Sequence, residues 1–239
     1  MTTNAEMIQQ WASIPDSVVA AFGDEGDFAR KYLLNPALFN LLGDVTNKQI
    51  LDVGCGNGYL CRLLRQRGAK VTGLEPASSL FRYAQRREED KPLGIDYIQA
   101  DLSTWRDPRR FDMVIANMVL MDIPDFEGAM DSCFFHLHRG GRLLFSITHP
   151  CFEASDSEFR AKGYIEVKEY FQHYRIEQAW GNRFHRPLSY YFEAILSRGG
   201  RIEAVIEPKL DEIHAEHRME KERNLHVPSF IIFEVSKSR

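Results

Sequence analysis

The stretch from Gln49 to Leu60, Gln-Ile-Leu-Asp-Val-Gly-Cys-Gly-Asn-Gly-Tyr-Leu, decides the fold class of this chain. Its first part, Gln49 to Val53, is a short apolar run that predicts a buried strand. The glycines that follow predict a tight turn, and apolar residues at helical spacing from Tyr59 to Gln66 predict a helix. A strand that passes through a glycine-rich turn into a helix is typical of parallel α/β sheets, which bind ligands at this turn.

The same alternation of strand and helix continues along the chain. Strands that alternate with helices indicate right-handed crossovers and an open parallel sheet covered on both faces, so we expect an α/β fold. The other predicted strands are Ala69–Leu74, Gly94–Gln99, Phe111–Ala116, Arg142–Thr148, Arg201–Glu207 and Ser229–Ser236, and the other predicted helices are Ala77–Glu89, Asp125–His138 and Leu188–Ser197.

The length of 239 residues fits one domain with an elaboration, and we expect residues 1–239 to form a single domain. Residues 1–47 are predicted to be a helical cap whose short helices break at prolines and glycines, Pro36 among them. Residues 48–149 form the core that binds the ligand, and residues 188–239 complete the sheet. Between them, residues 150–187 are rich in aromatic side chains and are predicted to form a lid insert.

The composition indicates which classes of partner are disfavoured and which cellular compartment to expect. The formal net charge is −4, which disfavours a protein whose main task is to bind nucleic acid or an anionic membrane. The four cysteines are scattered without a C-x-x-C pair, so we predict a reducing compartment and no structural metal site. Neither a secretory signal nor an apolar stretch long enough to span a bilayer is visible, and we expect a cytoplasmic protein.

Two carboxylates follow the next two strands. Glu75 comes after the second strand and Asp101 after the third, so both should lie on the same rim as the glycine turn. A carboxylate at the first place can accept two hydrogen bonds from a ribose diol, and a carboxylate at the second place can accept a hydrogen bond from an exocyclic amine. A dinucleotide site is disfavoured, because Tyr59 stands where the G-x-G-x-x-G/A pattern needs a small residue.

These residues resemble the class I S-adenosylmethionine-dependent methyltransferases, most of all the small-molecule branch. The likeness covers residues 49 to about 148. The resemblance implies a Rossmann-like sheet with an antiparallel last strand and S-adenosyl-L-methionine as the cofactor. The motifs that carry the likeness are Leu51–Gly58, Val71–Pro76, Gln99–Leu102, Phe111–Asn117 and His138–Leu143.

The resemblance also implies a role for each residue on the rim. The glycine turn would lie against the methionine part of the cofactor, and Asp52 nearby would fix the turn. Asn117, at the end of the fourth strand, would contact the cofactor amino group through its backbone. The alternative is that Asn117 merely caps the end of its strand and does not contact the cofactor. The implied cofactor-binding residues are Asp52, Gly54, Cys55, Gly56, Glu75, Pro76, Asp101, Leu102 and Asn117.

His149 is the candidate catalytic residue, because it directly follows the fifth strand and should emerge on the same rim. It could take a proton from the acceptor, contact the substrate without chemistry, or serve only the structure. Tyr32, Tyr170 and His185 are the other candidates for substrate contact, the alternative being a small satellite core in the lid. A metal site among the histidines after residue 213 is disfavoured, because that stretch is charged throughout.

We therefore predict an enzyme that transfers a methyl group to a nitrogen or oxygen of a small-molecule acceptor, as a monomer or homodimer. One alternative is a regulatory or scaffold protein that binds the cofactor without turnover. Another is a nucleic-acid methyltransferase. It is disfavoured because residues 117–120 read Asn-Met-Val-Leu and lack the stacking aromatic residue that base-flipping enzymes carry there.

Overall fold

The computed structural model describes residues 2–153, 156–215 and 223–238. In this part of the chain a seven-stranded sheet has the order β3-β2-β1-β4-β5-β9-β8, and a separate hairpin pairs β6 with β7. Strands β1 to β5 run parallel to one another, whereas β9 is antiparallel to both β5 and β8. The strands are β1 (Gln49–Val53), β2 (Lys70–Leu74), β3 (Asp96–Ile98), β4 (Phe111–Asn117), β5 (Leu137–Thr148), β6 (Tyr174–Ile176), β7 (Arg183–His185), β8 (Gly200–Ile206) and β9 (Phe230–Lys237).

Helices cover both faces of this sheet, as the alternating pattern predicts. Along β4, Val114 and Ala116 belong to one apolar cluster, while Met113 and Ile115 belong to another on the opposite face. Helix α4 packs on the second face through residues such as Leu64, and α6 and α8 pack on the first. The helices are α1 (Asn4–Ala12), α2 (Asp16–Ala21), α3 (Asn35–Leu42), α4 (Tyr59–Gln66), α5 (Ser78–Asp90), α6 (Phe126–His136), α7 (Asp156–Lys162), α8 (Leu188–Ser197), α9 (Glu212–Ala215) and α10 (Arg223–His226).

The helical cap contains one break fewer than predicted. A π-helix, Arg30–Leu34, continues directly into α3. Pro36 does not interrupt this segment, because it occupies the first turn of α3, where no backbone N–H is needed for the helix. Helices α1 and α2 pack against α5, and Ile14, Val19 and Leu80 form a small apolar cluster there. The helical cap therefore lies against the core next to the end of β2.

Strand β5 begins earlier than the sequence suggests. The predicted helix Asp125–His138 ends at His136, and the chain is extended from Leu137 onwards. The pairing of β4 with β5 shifts register between Phe111 and Met113, which is the mark of a β-bulge. A Cβ atom on Gly141 would lie 3.0 Å from the His138 carbonyl oxygen, so the glycine is needed for this close approach of backbone rather than for a helix stop.

The lid insert has little regular structure. It starts with a 3-10 turn, Pro150–Phe152, continues with α7 and ends with the hairpin of β6 and β7. Strand β7 packs against a second 3-10 turn, Leu120–Asp122, which follows β4. The lid insert therefore reaches the loop at the carboxyl end of the central strand. Within the described ranges, no helix combines the length and the apolar character that a membrane span requires.

Candidate active site

A cavity with an empty volume of about 1070 Å³ opens at the carboxyl ends of β1, β2 and β4. Each of the predicted cofactor-binding residues except Asp52 lines it. The full lining is Asn4, Met7, Ile8, Trp11, Phe22, Arg30, Gly54, Cys55, Gly56, Asn57, Tyr59, Leu74, Glu75, Pro76, Leu80, Ala100, Asp101, Leu102, Asn117, Met118, Val119, Asp122, Ile123 and Pro124.

The glycine turn forms one wall of this cavity. Gly54 and Gly56 both have positive φ angles, 60° and 58°, which glycine adopts without strain. A Cβ atom on Gly54 would lie 2.6 Å from Val119 Cγ1, so the turn and the loop after β4 can pack this closely only with glycine. A Cβ atom on Gly56 would meet nothing within 4 Å. The backbone at Gly56 thus faces open space, where a ligand can approach it directly.

Glu75 is buried at the end of β2, with 5% of its surface exposed. Its two carboxylate oxygens accept hydrogen bonds from the N–H groups of Gly56, at 2.9 Å, and Ala77, at 2.8 Å. Burial raises the pKa of Glu75 to about 7, although these two hydrogen bonds oppose the shift. Since a carboxylate oxygen has two lone pairs, each oxygen retains one for a donor in the cavity. Glu75 therefore ties the glycine turn to β2 and still offers acceptors to a ribose diol.

Asp101 is joined to the helical cap by a side chain that the sequence analysis did not single out. Asn4 Nδ2 lies 3.2 Å and 3.0 Å from the two carboxylate oxygens of Asp101, and 2.9 Å from Ser103 Oγ. The Asp125 N–H in turn donates to Asn4 Oδ1 at 2.9 Å. Asn4 thus connects α1 to the loop after β3 and to the start of α6. No local sequence pattern could reveal this contact, because the partners are about a hundred residues apart.

Asn117 belongs to a chain of hydrogen bonds that crosses the floor of the cavity. Ser146 Oγ donates to Asn117 Oδ1 at 2.7 Å, and Asn117 Nδ2 donates to the Tyr59 hydroxyl at 2.8 Å. The Tyr59 hydroxyl then donates to Asn35 Oδ1 at 3.2 Å. These bonds engage both ends of the Asn117 amide and hold its side chain in place, while Nδ2 retains a second hydrogen and Oδ1 a second lone pair. The next residue, Met118, has a φ angle of 62°, a strained conformation for a non-glycine residue that is common at functional sites.

Asp52 lies behind the glycine turn rather than in the cavity. It is 1% exposed, and the Cys61 thiol donates to its Oδ2 at 3.1 Å. Burial raises the pKa of Asp52 to about 7, and the neighbouring charge of Glu75 acts in the same direction. Because Cys61 is on α4, this contact fastens the helix after the turn to the strand before it. The supporting role that the resemblance implies for Asp52 fits this position.

His149 does not line the cavity, contrary to the expectation from its place after β5. Its N–H donates to the Ser229 carbonyl at 2.9 Å, and this bond extends the pairing towards β9. The Cys151 N–H donates to His149 Nδ1 at 3.2 Å, and Nε2 lies 2.8 Å from Glu207 Oε1. Burial lowers the pKa of the imidazole. The only lone pair of a neutral ring is thus occupied, which does not fit a general base facing the cavity.

The three other candidates for substrate contact also lie outside the cavity lining. His185 Nε2 donates to the Tyr170 carbonyl at 2.8 Å, and the Leu188 N–H donates to the Tyr170 hydroxyl at 2.9 Å. These contacts hold the lid insert together, as a satellite core would. Tyr32 packs against His214, with the two ring centroids 4.3 Å apart and the rings tilted by 35°. Sequence reasoning placed these residues near the substrate because it could assign the segment but not the direction of each side chain.

Two charged residues in the cavity lining were missed by the sequence analysis. Arg30 belongs to the π-helix and is held by Asp27 at 2.6 Å. Asp122 ends the 3-10 turn after β4. The position of Asp122 beyond a strand end was a usable signal, since loops on this rim bind ligands. Within the described ranges, no group of three or more His, Cys, Asp or Glu side chains is arranged to hold a metal ion.

Residues 27–186, more than half of the chain, match the protein family described as "Methyltransferase domain". The chain belongs to this methyltransferase family. The recognition of a class I S-adenosylmethionine-dependent methyltransferase and the Rossmann-like fold with an antiparallel strand are thereby confirmed. S-adenosylmethionine is the cofactor of the family, as the sequence predicts.

Curated relatives of this methyltransferase family include proteins named ubiquinone biosynthesis O-methyltransferase. The protein from Coxiella burnetii is 29% identical over 150 residues, which are 61% of this chain and 64% of the relative. The protein from Saccharophagus degradans is 32% identical over 127 residues, or 51% of this chain and 54% of the relative. The chain thus matches less than two thirds of the length of these relatives.

Solved structures with a similar fold are consistent with membership of this family. An S-adenosylmethionine-dependent methyltransferase from Mesorhizobium loti has a TM-score of 0.76 and 26% identity, and the match covers 90% of this chain and 100% of the other. The [4+2]-cyclase SpnF has a TM-score of 0.68 at 16% identity, over 99% of this chain and 97% of SpnF. The second likeness concerns the fold alone.

Proposed function

We propose that this protein transfers a methyl group from S-adenosylmethionine to an oxygen of a small-molecule acceptor. The observation that carries the proposal is the cavity in which Glu75, Asp101 and the open backbone of Gly56 meet. The sequence alone left nitrogen and oxygen open, and the curated relatives, which are named O-methyltransferases, favour oxygen.

The cavity residues fit the cofactor in three places. Glu75 would accept hydrogen bonds from the ribose hydroxyls, because each of its oxygens retains a lone pair. Asp101 would accept one from the adenine amino group, with Pro76 and Leu102 beside the ring. The Arg30 guanidinium, which lines the cavity near Tyr59, would pair with the carboxylate of the methionine part. The bound cofactor supplies a methyl group on a positively charged sulfur, so the chain itself must chiefly hold, orient and desolvate the reactants.

Two experiments test this function. Calorimetry with S-adenosylhomocysteine should show one binding site per chain, and NADH should not bind. A screen of small hydroxylated and amine-containing metabolites with S-adenosylmethionine, followed by mass spectrometry, should show products 14 mass units heavier than their acceptors (CH₂ added in net). Binding without any product would favour the alternative of a regulatory or scaffold protein. Binding of NADH alone would contradict the proposal.

The macromolecular partners and the compartment are also part of this proposal. The net charge of −4 favours a small acceptor over duplex nucleic acid, and we propose a cytoplasmic monomer or homodimer. Titration with duplex DNA should give no measurable binding at physiological salt. A submicromolar affinity that falls steeply with salt would favour a nucleic-acid substrate instead. Light scattering of the purified chain gives the oligomeric state.

A further inference from the structure

Asp122 has a carboxylate oxygen that the fold leaves without a partner. The residue ends the 3-10 turn after β4, where its N–H donates to the Val119 carbonyl at 2.8 Å, and it is one of the residues that line the cavity. Oδ1 is buried, and among the described residues nothing donates a hydrogen bond to it. A buried acceptor without a donor costs about 1–3 kcal/mol, so its persistence in a cavity points to a ligand group that completes it.

The turn that carries Asp122 is held in place by Arg186. This buried guanidinium donates to the carbonyl oxygens of Leu120 at 3.4 Å, Ile123 at 2.7 Å and Pro124 at 3.4 Å. Arg186 is thereby committed to the backbone on both sides of Asp122 and does not form an ion pair with it. The backbone position of Asp122 is thus fixed independently of any partner for its carboxylate.

The charges around Asp122 come from the segments that cover the cavity. Burial raises the pKa of Asp122 to about 7, while the guanidinium groups of Arg183, Arg30 and Arg186 oppose that shift. Tyr191, on α8, is also close enough for its own pKa to respond to Asp122. None of the three arginines makes an ion pair with Asp122 within the described ranges. The carboxylate therefore remains available as a proton acceptor near neutral pH.

Asp122 differs in this respect from the other two acidic residues of the cavity. Glu75 already accepts two backbone hydrogen bonds, and Asp101 accepts from Asn4 and from the Ser103 N–H. Both follow strands β2 and β3, on the side assigned to the adenosine. Asp122 instead lies where β7 of the lid insert packs on the turn. With the cofactor at the glycine turn, as proposed above, this side of the cavity would be left for the acceptor.

We propose that Asp122 accepts the proton of the acceptor's hydroxyl group, and that the acceptor is a hydroxylated molecule with an apolar skeleton. The inference rests on the proposed function. The acceptor oxygen forms its bond to the methyl carbon as the carbon–sulfur bond breaks, and that electron pair stays on sulfur. The proton leaves the hydroxyl oxygen for the Asp122 carboxylate. The apolar skeleton follows from the residues beside Asp122 in the lining, Met118, Val119, Ile123 and Pro124.

The experiment compares Asp122→Asn with Asp90→Asn, a matched change at an exposed aspartate on α5. The acceptors are phenols, catechols and hydroxybenzoates, chosen so that the hydroxyl pKa falls from about 10 towards neutrality. We expect Asp122→Asn to lower kcat by about 10²–10⁴-fold. The loss should shrink for the more acidic hydroxyls, because an acceptor that is already ionised needs no base. Affinity for S-adenosylhomocysteine, measured by calorimetry, should match the wild type in both variants.

Each of the alternative results would contradict one particular part of the inference. An Asp122→Asn variant as active as Asp90→Asn would remove Asp122 from the reaction, and an equal loss across all acceptors would leave it a positioning role only. Loss of S-adenosylhomocysteine binding would assign it to the cofactor. A wild type that binds S-adenosylhomocysteine but methylates none of these acceptors would overturn the substrate class. A wild type that does not bind S-adenosylhomocysteine would instead overturn the proposed function.

Discussion

At the scale of the residue, Glu75 stabilises the glycine turn and is also the residue proposed to bind the ribose of the cofactor. Its carboxylate accepts from the Gly56 and Ala77 N–H groups and faces the cavity. We expect Glu75→Ala to weaken S-adenosylhomocysteine binding by about 10–100-fold, because charged hydrogen bonds of this kind contribute about 1.5–3 kcal/mol. Calorimetry measures the change, and Glu89→Ala on the exposed face of α5 is the control. Equal affinities in the two variants would disprove the ribose contact.

Tyr59 is a second residue whose side chain links parts of the chain that are far apart in sequence. Its hydroxyl accepts from Asn117 Nδ2 and donates to Asn35 Oδ1, so Tyr59→Phe removes the hydrogen-bond partner of each of these two atoms. We expect this variant to lose about 1–3 kcal/mol of unfolding free energy, measured by urea denaturation. Tyr83→Phe removes a hydroxyl of the same kind from α5 and should change stability little. Identical stabilities in the two variants would mean that water replaces the Tyr59 hydroxyl.

At the scale of the element, α1 is attached to the core by the side chain of Asn4. That side chain reaches Asp101, Ser103 and the Asp125 backbone at once. Removing these bonds in Asn4→Ala should speed hydrogen exchange in residues 4–12 by about tenfold, which corresponds to about 1.4 kcal/mol, and leave β1 and β4 protected. Gln9→Ala, on the exposed side of the same helix, should leave exchange unchanged. Faster exchange throughout the sheet would mean that α1 does not open as a separate unit.

At the scale of the whole molecule, buried carboxylates make stability depend on pH. Asp52 has a folded pKa of about 7, above its ordinary value of 3.8. Between these values the folded chain holds a proton that the unfolded chain releases, so this group lowers the unfolding free energy as pH rises through that window. His136 and His149, whose pKa values burial lowers, contribute with the opposite sign.

Asp52→Asn isolates Asp52 together with its coupling to Glu75, since the titrations of groups that do not interact with Asp52 cancel when the variant is compared with the wild type. Between pH 5 and pH 8 we expect the variant to gain about 1–3 kcal/mol of unfolding free energy relative to the wild type. Urea denaturation at both pH values measures the difference, and Asp90→Asn should show none. A constant difference between Asp52→Asn and wild type would mean that Asp52 stays ionised in the folded chain.

Much of the cofactor side of the site could be predicted from the sequence. The strand, glycine turn and helix at residues 49–66 are encoded by local periodicity, and they occur at the predicted bounds. Glu75 and Asp101 could be located without coordinates, because the carboxyl ends of parallel strands share one rim. Such rules apply to backbone positions, which chain order and strand direction determine.

The direction of each side chain was decided only by tertiary contacts. His149 stands at the predicted point of the chain, but its backbone pairs onward with Ser229 and its ring accepts from the Cys151 N–H, so it turns away from the cavity. Asn4 reaches Asp101 only because α1 packs on α5. Among the described residues, Asp122 Oδ1 lacks a hydrogen-bond donor, and Arg186 is engaged with the surrounding carbonyl groups instead. Local sequence determined the strands, the glycine turn and the rim of the sheet, whereas long-range packing determined which polar atoms there were satisfied and which remained open to a ligand.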